Sequence, residues 1–258
     1  MIRLIITGAA GKMGKAILNI ASQDKEFEIG GLVERKGHPL IGSYEPVTHN
    51  KIMDDLADVI EFCDVIIDFT EPRATMEHLR LAREYKKAIV IGTTGFSEED
   101  SVKIRDTKDI GVVFSPNMSI GMNLMFDLVD RATRILKDNF DIEVMEMHHK
   151  WKKDAPSGTA LRLKDIIEQT DNKKAWEEVY GRKGITGERK KDELAILALR
   201  GGDIVGEHTV FFAGIGERIE IIHRAYSREN FARGAIVAAK WLINKPNGVY
   251  SMKDVLGL

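Results

Sequence analysis

The sequence predicts an α/β protein with a Rossmann-type doubly wound parallel sheet and a second α+β domain built on an open mixed sheet. The first part of the chain alternates short, almost continuously apolar runs with segments of helical periodicity, which is typical of parallel strands covered on both faces. The later part carries strand-like runs with a single helix among them, which favours a mixed or antiparallel sheet. We therefore expect one domain from residues 1–118 plus 230–258 and another from residues 119–229.

The elements of the first domain follow from apolar periodicity. We expect five strands, separated by three helices that carry apolar residues at helical spacing. The predicted strands are 2–7, 28–34, 64–69, 88–92 and 111–115, and the predicted helices are 12–22, 72–85 and 98–108.

The second domain begins with a long predicted helix at 121–137. Its predicted strands are 140–147, 193–199, 207–213 and 217–225, with one helix at 159–169. Residues 171–191 are polar and rich in Gly and Lys, so we expect a long mobile loop there. A strongly apolar helix at 231–243 is expected to return to the first domain.

Composition excludes several classes of function. The chain has 258 residues, 43% hydrophobic and 30% charged, with a formal net charge of -2, so we expect neither a nucleic-acid nor a membrane partner. The N-terminus begins a strand without signal-peptide features, so we expect a cytoplasmic protein. The one cysteine, Cys63, rules out an intrachain disulfide and a Cys-rich zinc site, and we predict no metal site.

A glycine-rich turn follows the first predicted strand. It consists of Gly8, Ala9, Ala10, Gly11, Lys12, Met13 and Gly14, with the spacing GxxGxxG. Glycines allow a pyrophosphate to approach the backbone, and the N–H groups at a helix N-terminus bind phosphates. A tight strand-to-helix turn would also need glycine, so the turn alone leaves both interpretations open.

The end of the second predicted strand favours a dinucleotide. Glu34 lies about 20 residues beyond Gly14, where a carboxylate accepts hydrogen bonds from ribose hydroxyls. Arg35 follows and could pair with a 2′-phosphate, although a solvated loop explains it equally well. Together they predict that the cofactor is NADH, NADPH or both.

Three further strand ends are expected at the same edge of the sheet. In doubly wound sheets ligands lie beyond the carboxyl ends of the strands. The predicted cofactor contacts there are Phe69, then Gly92, Thr93 and Thr94, and then Ser115, Pro116, Asn117 and Met118.

The segment 146–161, EMHHKWKKDAPSGTAL, indicates acid–base chemistry. Histidine titrates near neutral pH and lysine can donate a proton. Ser157, Gly158 and Thr159 open a helix whose free N–H groups would bind a carboxylate. Two cationic groups and a helix N-terminus in one loop suggest a small dianionic substrate. A polar turn at a helix entry is the alternative. A metal site is disfavoured, because adjacent histidines on a strand usually point to opposite sides.

This segment resembles the motif E-x-H-H-x-x-K-x-D-A-P-S-G-T-A of the dihydrodipicolinate reductase family. The chain matches it at Glu146, His148, His149, Lys152 and every position from Asp154 to Ala160, while Trp151 stands where some relatives have histidine. The glycine-rich turn, residues 92–96, 116–123, 200–208 and 216–220, and the helix from Phe231 also match. The resemblance therefore spans essentially the whole chain.

The resemblance implies reduction of hydroxy-tetrahydrodipicolinate by NAD(P)H, with loss of water, hydride addition at ring carbon C4 and protonation at C3. It implies that His148 is the proton donor and acceptor, that Lys152 is a second proton donor, and that His149, Gly158 and Thr159 contact the substrate. The first domain would bind the dinucleotide, with Arg35 at the 2′-phosphate. The second domain would bind substrate and form a homotetramer through its sheet.

Two alternatives remain open. The chain could reduce another amino or imino acid, or it could sense NAD(P)H without turning it over. Among the other polar residues, Arg200 to Asp203 are interpreted mainly as a turn, and His208 and His223 as satisfied sheet residues. His38, His49 and His78 are expected at the surface.

Overall fold

The computed structural model describes residues 1–171 and 175–258. Strands within those ranges are, in chain order, β1 Ile2–Thr7, β2 Phe27–Val33, β3 Ile52–Met53, β4 Val65–Asp68, β5 Ala88–Ile91, β6 Gly111–Phe114, β7 Asp141–His148, β8 Glu177–Val179, β9 Glu193–Arg200, β10 Gly206–Ala213, β11 Arg218–Ala225 and β12 Gly248–Tyr250. The α-helices are α1 Lys12–Ala21, α2 Pro72–Glu84, α3 Glu98–Arg105, α4 Ile120–Leu136, α5 Gly158–Thr170, α6 Glu229–Leu242 and α7 Met252–Leu256.

These elements divide into two units. The first unit comprises Met1–Ile120 and Arg228–Leu258, and the second comprises Gly121–Ser227. Each forms its own sheet.

The first unit contains a parallel sheet of seven strands in the order β12-β6-β5-β4-β1-β2-β3. The order reverses at β1, which lies between β2 and β4, and ligands of such sheets bind at this kind of reversal. The five predicted strands are present. The short strands β3 and β12 were not predicted.

Both faces of this sheet are covered. Leu4 and Ile6 of β1 are fully buried in one apolar cluster together with residues of α1, α6 and α7. Ile5, which points to the opposite face, is buried in a second cluster with residues of α2 and α3. This alternation explains the continuous apolar runs and confirms the doubly wound architecture.

The second unit contains a mixed sheet in the order β11-β10-β7-β9-β8. Strand β7 is parallel to β9 and antiparallel to β10, and α4 and α5 pack on the face that carries Ile142, Val144 and Phe212. The predicted open mixed sheet is therefore confirmed.

The prediction of a continuous loop at 171–191 is wrong at residues 177–179. These form β8, which pairs in parallel with β9. Arg182 and Arg189, farther along the segment, both bind the carboxylate of Glu143 at 2.9–3.0 Å. Residues 172–174 of the predicted loop lie outside the described residues.

No helix in the described part of the chain combines the length and apolar character needed to cross a bilayer.

Candidate active site

The glycine-rich turn lies between β1 and α1. Gly8 has φ +66°, which a residue with a side chain rarely adopts. A Cβ atom on Gly14 would lie 2.2 Å from the carbonyl oxygen of Gly8 and 2.7 Å from Cα of Ala9. Since both are backbone atoms, only glycine lets α1 begin so close to the turn. Gly11 precedes α1 without a capping side chain, which leaves the first helical N–H groups for a ligand.

Glu34 lies directly after β2 and reaches back to this turn. Its Oε2 accepts a hydrogen bond from the N–H of Ala10 at 3.0 Å, and its Oε1 accepts one from the N–H of Arg35 at 3.0 Å. Arg35 and Lys12 are exposed, and Met13 is half-buried. The carboxylate therefore stands beside a helix N-terminus, as a ribose and a pyrophosphate of one dinucleotide require.

The other predicted cofactor contacts follow β4, β5 and β6. A Cβ on Gly92 would lie 2.2 Å from the ring of Phe69, so glycine is needed for this ring to pack there. Thr94 and Pro116 are exposed, whereas Thr93 and Ser115 are buried. Ser115 Oγ donates to the carbonyl of Asn117 at 2.9 Å. The Met118 side chain is buried in the core of the first unit, so only its backbone is available to a ligand.

A buried carboxylate supports two of these loops. Asp68 ends β4 and accepts hydrogen bonds from the hydroxyls of Thr70 at 2.7 Å, Thr75 at 3.0 Å and Thr93 at 3.1 Å. His78 Nδ1 lies 2.5 Å from its other oxygen. Burial raises the pKa of Asp68, but the hydrogen bond and charge of His78 outweigh it, and the pKa lies below its usual value. The prediction that His78 is a surface residue is wrong.

These residues of the first unit fit a nicotinamide dinucleotide. A helix N-terminus with free N–H groups can bind the pyrophosphate, and a strand-end carboxylate can bind a ribose.

In the second unit, His148 ends β7 and contacts a buried carboxylate. His148 Nδ1 lies 2.5 Å from Glu146 Oε2, and the Glu146 side chain is 0% exposed. Arg200, at the end of β9, donates to both oxygens of Glu146 at 2.8 Å, and the N–H of Ser157 donates to Oε1 at 3.0 Å. Burial opposes ionisation of Glu146, but the hydrogen bonds from His148 and Arg200 outweigh it and lower its pKa to about 2.

The loop after β7 carries the other predicted groups. Lys152 Nζ lies 2.9 Å from Asp154 Oδ2, and this hydrogen bond lowers the pKa of Asp154. The ring of His149 lies 5.8 Å from that of exposed Trp151. Arg200 also donates to the carbonyl oxygen of Asp154 at 2.6 Å, which ties the loop to β9.

Helix α5 follows this loop and begins at the site. The hydroxyl of Ser157 accepts a hydrogen bond from the N–H of Ala160 at 3.2 Å and lies 3.1 Å from Nε2 of His208. A Cβ on Gly158 would meet nothing within 4 Å, so the helix N-terminus opens onto free space. Burial, aided by the charge of His148, lowers the pKa of His208 to about 3, so this histidine is neutral near pH 7.

Four residues of this site were not assigned to it from the sequence. Glu146 was recognised only as a motif position, Arg200 was interpreted mainly as part of a turn, and His208 as an ordinary sheet residue. Ser157, the fourth, was seen only as part of a helix opening. The alternation of β7 could have revealed Glu146, because residues i and i+2 of a strand share a face.

Known proteins are similar to this chain over its whole length. Models described as dihydrodipicolinate reductase, N-terminus and C-terminus, match residues 2–118 and 121–256. The 4-hydroxy-tetrahydrodipicolinate reductases of Syntrophus aciditrophicus and Aquifex aeolicus are each 47% identical to this chain, over 100% of its length and 99% of theirs.

Solved structures with the same fold include a dipicolinate-bound dihydrodipicolinate reductase from Paenisporosarcina sp. TG-14, with a TM-score of 0.80, 24% identity and 97% coverage of both chains. An amine dehydrogenase from Mycobacterium smegmatis shares the fold at a TM-score of 0.61 and 13% identity, over 97% of this chain and 95% of that one. Both family models and the full-length relatives place this chain in the dihydrodipicolinate reductase family.

Proposed function

We propose that this chain is an NAD(P)H-dependent 4-hydroxy-tetrahydrodipicolinate reductase of the diaminopimelate and lysine pathway. Its substrate is a small cyclic dicarboxylate, which loses water, receives a hydride at C4 and a proton at C3, and yields tetrahydrodipicolinate. One observation carries the proposal: a chain with full-length similarity to reductases of this name holds His148, Lys152 and the open N-terminus of α5 within one continuous segment.

The first unit is proposed to bind the cofactor, which supplies the hydride when bound. The N–H groups around Gly8, Ala9, Ala10, Gly11, Lys12 and Met13 hold the pyrophosphate. Glu34 accepts hydrogen bonds from the ribose, and the exposed guanidinium of Arg35 pairs with the 2′-phosphate of NADPH. The remaining proposed contacts are Phe69, Gly92, Thr93, Thr94, Ser115, Pro116, Asn117 and Met118.

The second unit is proposed to bind the substrate. The N–H groups of Gly158 and Thr159 donate hydrogen bonds to a carboxylate, because the N-terminus of α5 is open and carries the positive end of the helix dipole. His149 adds a further contact. His148 and Lys152 supply and accept the protons that accompany hydride transfer.

The test is loss of NADH absorbance near neutral pH, with substrate generated in place from pyruvate and aspartate semialdehyde by the synthase. Lys152→Ala is expected to lower kcat by roughly 10²–10⁴-fold while NADH binding is retained. Lys153→Ala is the matched control, because this neighbouring lysine is exposed and has no proposed role. A wild type that binds NADH but oxidises none with this substrate would direct attention to another imino acid or to a sensor.

We further propose a homotetramer that assembles through the sheet of the second unit. Helices α4 and α5 pack on one face of this sheet. The opposite face carries apolar side chains that are half-buried or exposed, namely Met145, Met147, Leu197, Leu199, Phe211 and Ile222. Burial of this face against a second copy would remove apolar surface from water.

Light scattering coupled to gel filtration tests the assembly. The wild type should have four times the chain mass, and Met145→Glu should dissociate it. A monomeric wild type would refute the homotetramer.

A cytoplasmic location belongs to the same proposal, since the reaction consumes NAD(P)H regenerated there, and cell fractionation tests it.

A further inference from the structure

We propose that Glu146 and Arg200 are positioning residues that hold His148 in the Nδ1–H form, so that Nε2 is the nitrogen that exchanges a proton with the substrate. The inference rests on the proposed function for the role of His148. It adds which atom carries the proton and which residues determine this.

The first step is the charge of Glu146. Its side chain is fully buried, but its two oxygens receive hydrogen bonds from His148, from both terminal nitrogens of Arg200 and from the N–H of Ser157. The pKa of about 2 that results leaves the carboxylate ionised at neutral pH. An ionised carboxylate can only accept hydrogen bonds.

The second step is the tautomer of His148. Because Nδ1 lies 2.5 Å from an obligate acceptor, Nδ1 must carry a hydrogen. In neutral His148, Nε2 then has a free lone pair, and in protonated His148 it bears the second hydrogen. Gain and loss of a proton therefore both take place at Nε2.

The third step is the space around Nε2. A Cβ atom on Gly206, the first residue of β10, would lie 3.0 Å from His148 Nε2 and 3.4 Å from Cδ2. Gly206 does not have a positive φ, so the backbone conformation does not demand glycine there. What glycine provides is room beside the nitrogen that exchanges the proton.

Arg200 prevents Glu146 from taking the proton itself. The two 2.8 Å hydrogen bonds favour the anionic carboxylate, and the guanidinium cannot lose its own proton. Arg200 also donates to the carbonyl oxygens of Leu199 and Asp154, each at 2.6 Å, so its orientation is fixed by the backbone.

The other titratable groups near His148 are consistent with this arrangement. The ring of His208, on β10, lies edge-on at 5.3 Å between centroids and is neutral near pH 7. The hydroxyl of Ser157, which accepts from the N–H of Ala160, lies 3.1 Å from Nε2 of His208. Lys152, in the loop after β7, is charged as well and is paired with Asp154.

The test uses the full-length protein with ¹⁵N-labelled histidine, because ring ¹⁵N shifts distinguish the two tautomers independently of activity. The signal of His148 is assigned by its loss in His148→Gln. Wild type should show the Nδ1–H form. Glu146→Gln should show a mixture or the Nε2–H form, with kcat at least 100-fold lower, KM for NADH unchanged and the pH profile of kcat altered.

Glu143→Gln is the matched control. Glu143 lies on the same strand, on the opposite face, and is likewise held by arginine, in its case by both Arg182 and Arg189. Its substitution should leave the His148 tautomer and kcat as in wild type. If Glu146→Gln does not fold, Gly206→Ala replaces it. This variant should keep the Nδ1–H form and still lose kcat, because the new methyl group crowds Nε2.

The results separate this inference from the function on which it rests. An Nε2–H tautomer in the wild type, or full kcat in Glu146→Gln, would overturn the positioning role even if the wild type reduces the substrate. An Nδ1–H tautomer in a protein that reduces no such substrate would support the tautomer and overturn the proposed function.

Discussion

Acid should destabilise the second unit in part through one buried carboxylate, Glu146. Protonation of this group removes the charge that holds His148 and Arg200. Glu146→Gln has nearly the same shape as protonated glutamic acid and mimics that state at every pH. Comparison of wild type with this variant therefore isolates one ionisation among the 40 acidic residues of the chain.

The size of the effect follows from the pKa, which falls from 4.5 to about 2 in the folded protein. Each tenfold change in proton affinity corresponds to about 1.4 kcal/mol, so ionised Glu146 contributes on the order of 3 kcal/mol to the free energy of unfolding. The side chain is 0% exposed, so solvent screens its interactions only weakly. Because the folded pKa is the lower one, the contribution is complete above about pH 4.5 and is lost as the pH falls towards 2.

Urea unfolding at a series of pH values from 7 to 3 measures this contribution. The free energy of unfolding of wild type should exceed that of Glu146→Gln by on the order of 3 kcal/mol at pH 7, and the difference should shrink steadily below pH 4.5. Glu61→Gln is the control, since Glu61 is exposed and lies in the first unit, and its difference from wild type should stay within about 0.5 kcal/mol. A difference between wild type and Glu146→Gln that is the same at pH 7 and pH 3 would refute the reasoning.

Three further substitutions test the two binding regions. Gly14→Ala should destabilise the protein by about 1–3 kcal/mol and weaken NADH binding at least tenfold, because the new methyl group would lie 2.2 Å from the carbonyl oxygen of Gly8; thermal unfolding and calorimetric titration measure both, and unchanged affinity would contradict the assignment of the turn. Arg35→Ala should weaken NADPH binding by roughly 10–100-fold and leave NADH nearly unaffected, because only NADPH has the 2′-phosphate; equal losses for the two cofactors would place Arg35 elsewhere. Gly158→Ala should leave stability unchanged or raise it by up to about 1 kcal/mol, because its methyl group would meet nothing within 4 Å. The same methyl group should raise the KM for the substrate, and an unchanged KM would remove the carboxylate from the N-terminus of α5.

The periodicity of the sequence predicted most of the fold, because long apolar runs leave little choice of structure. The exceptions are short. Strand β3 has two residues, and β8 and β12 have three each, which is too few to show alternation. Strand β12 becomes a strand only by pairing with β6, from which it is separated by more than 130 residues, and β8 lies in a polar segment. Such strands are determined by a distant partner and not by local pattern.

The cofactor-binding residues were predicted from their spacing in the sequence. The Asp68–His78 pair, which supports two of their loops, could not be predicted in this way. Asp68 ends a buried strand, and His78 lies about two turns into α2. The polar sequence of α2 predicts an exposed helix. Their contact depends on how α2 packs on the sheet. Sequence periodicity could place Asp68 at the edge where ligands bind, yet it could not supply the histidine that is hydrogen-bonded to it.

The strand geometry of β7 explains how two adjacent histidines acquire different environments. Residues 146 and 148 share one face of the strand, so the pattern E-x-H already brings a carboxylate to the imidazole of His148. His149 lies beyond the strand end, and its ring instead contacts that of Trp151. What the pattern could not supply is Arg200, which lies 54 residues after Glu146 and which the parallel register of β7 and β9 places opposite His148. A carboxylate buried beside histidine alone could accept its proton, and the arginine makes that transfer unfavourable. The distant strand therefore converts a local sequence motif into an imidazole whose proton exchange is confined to Nε2.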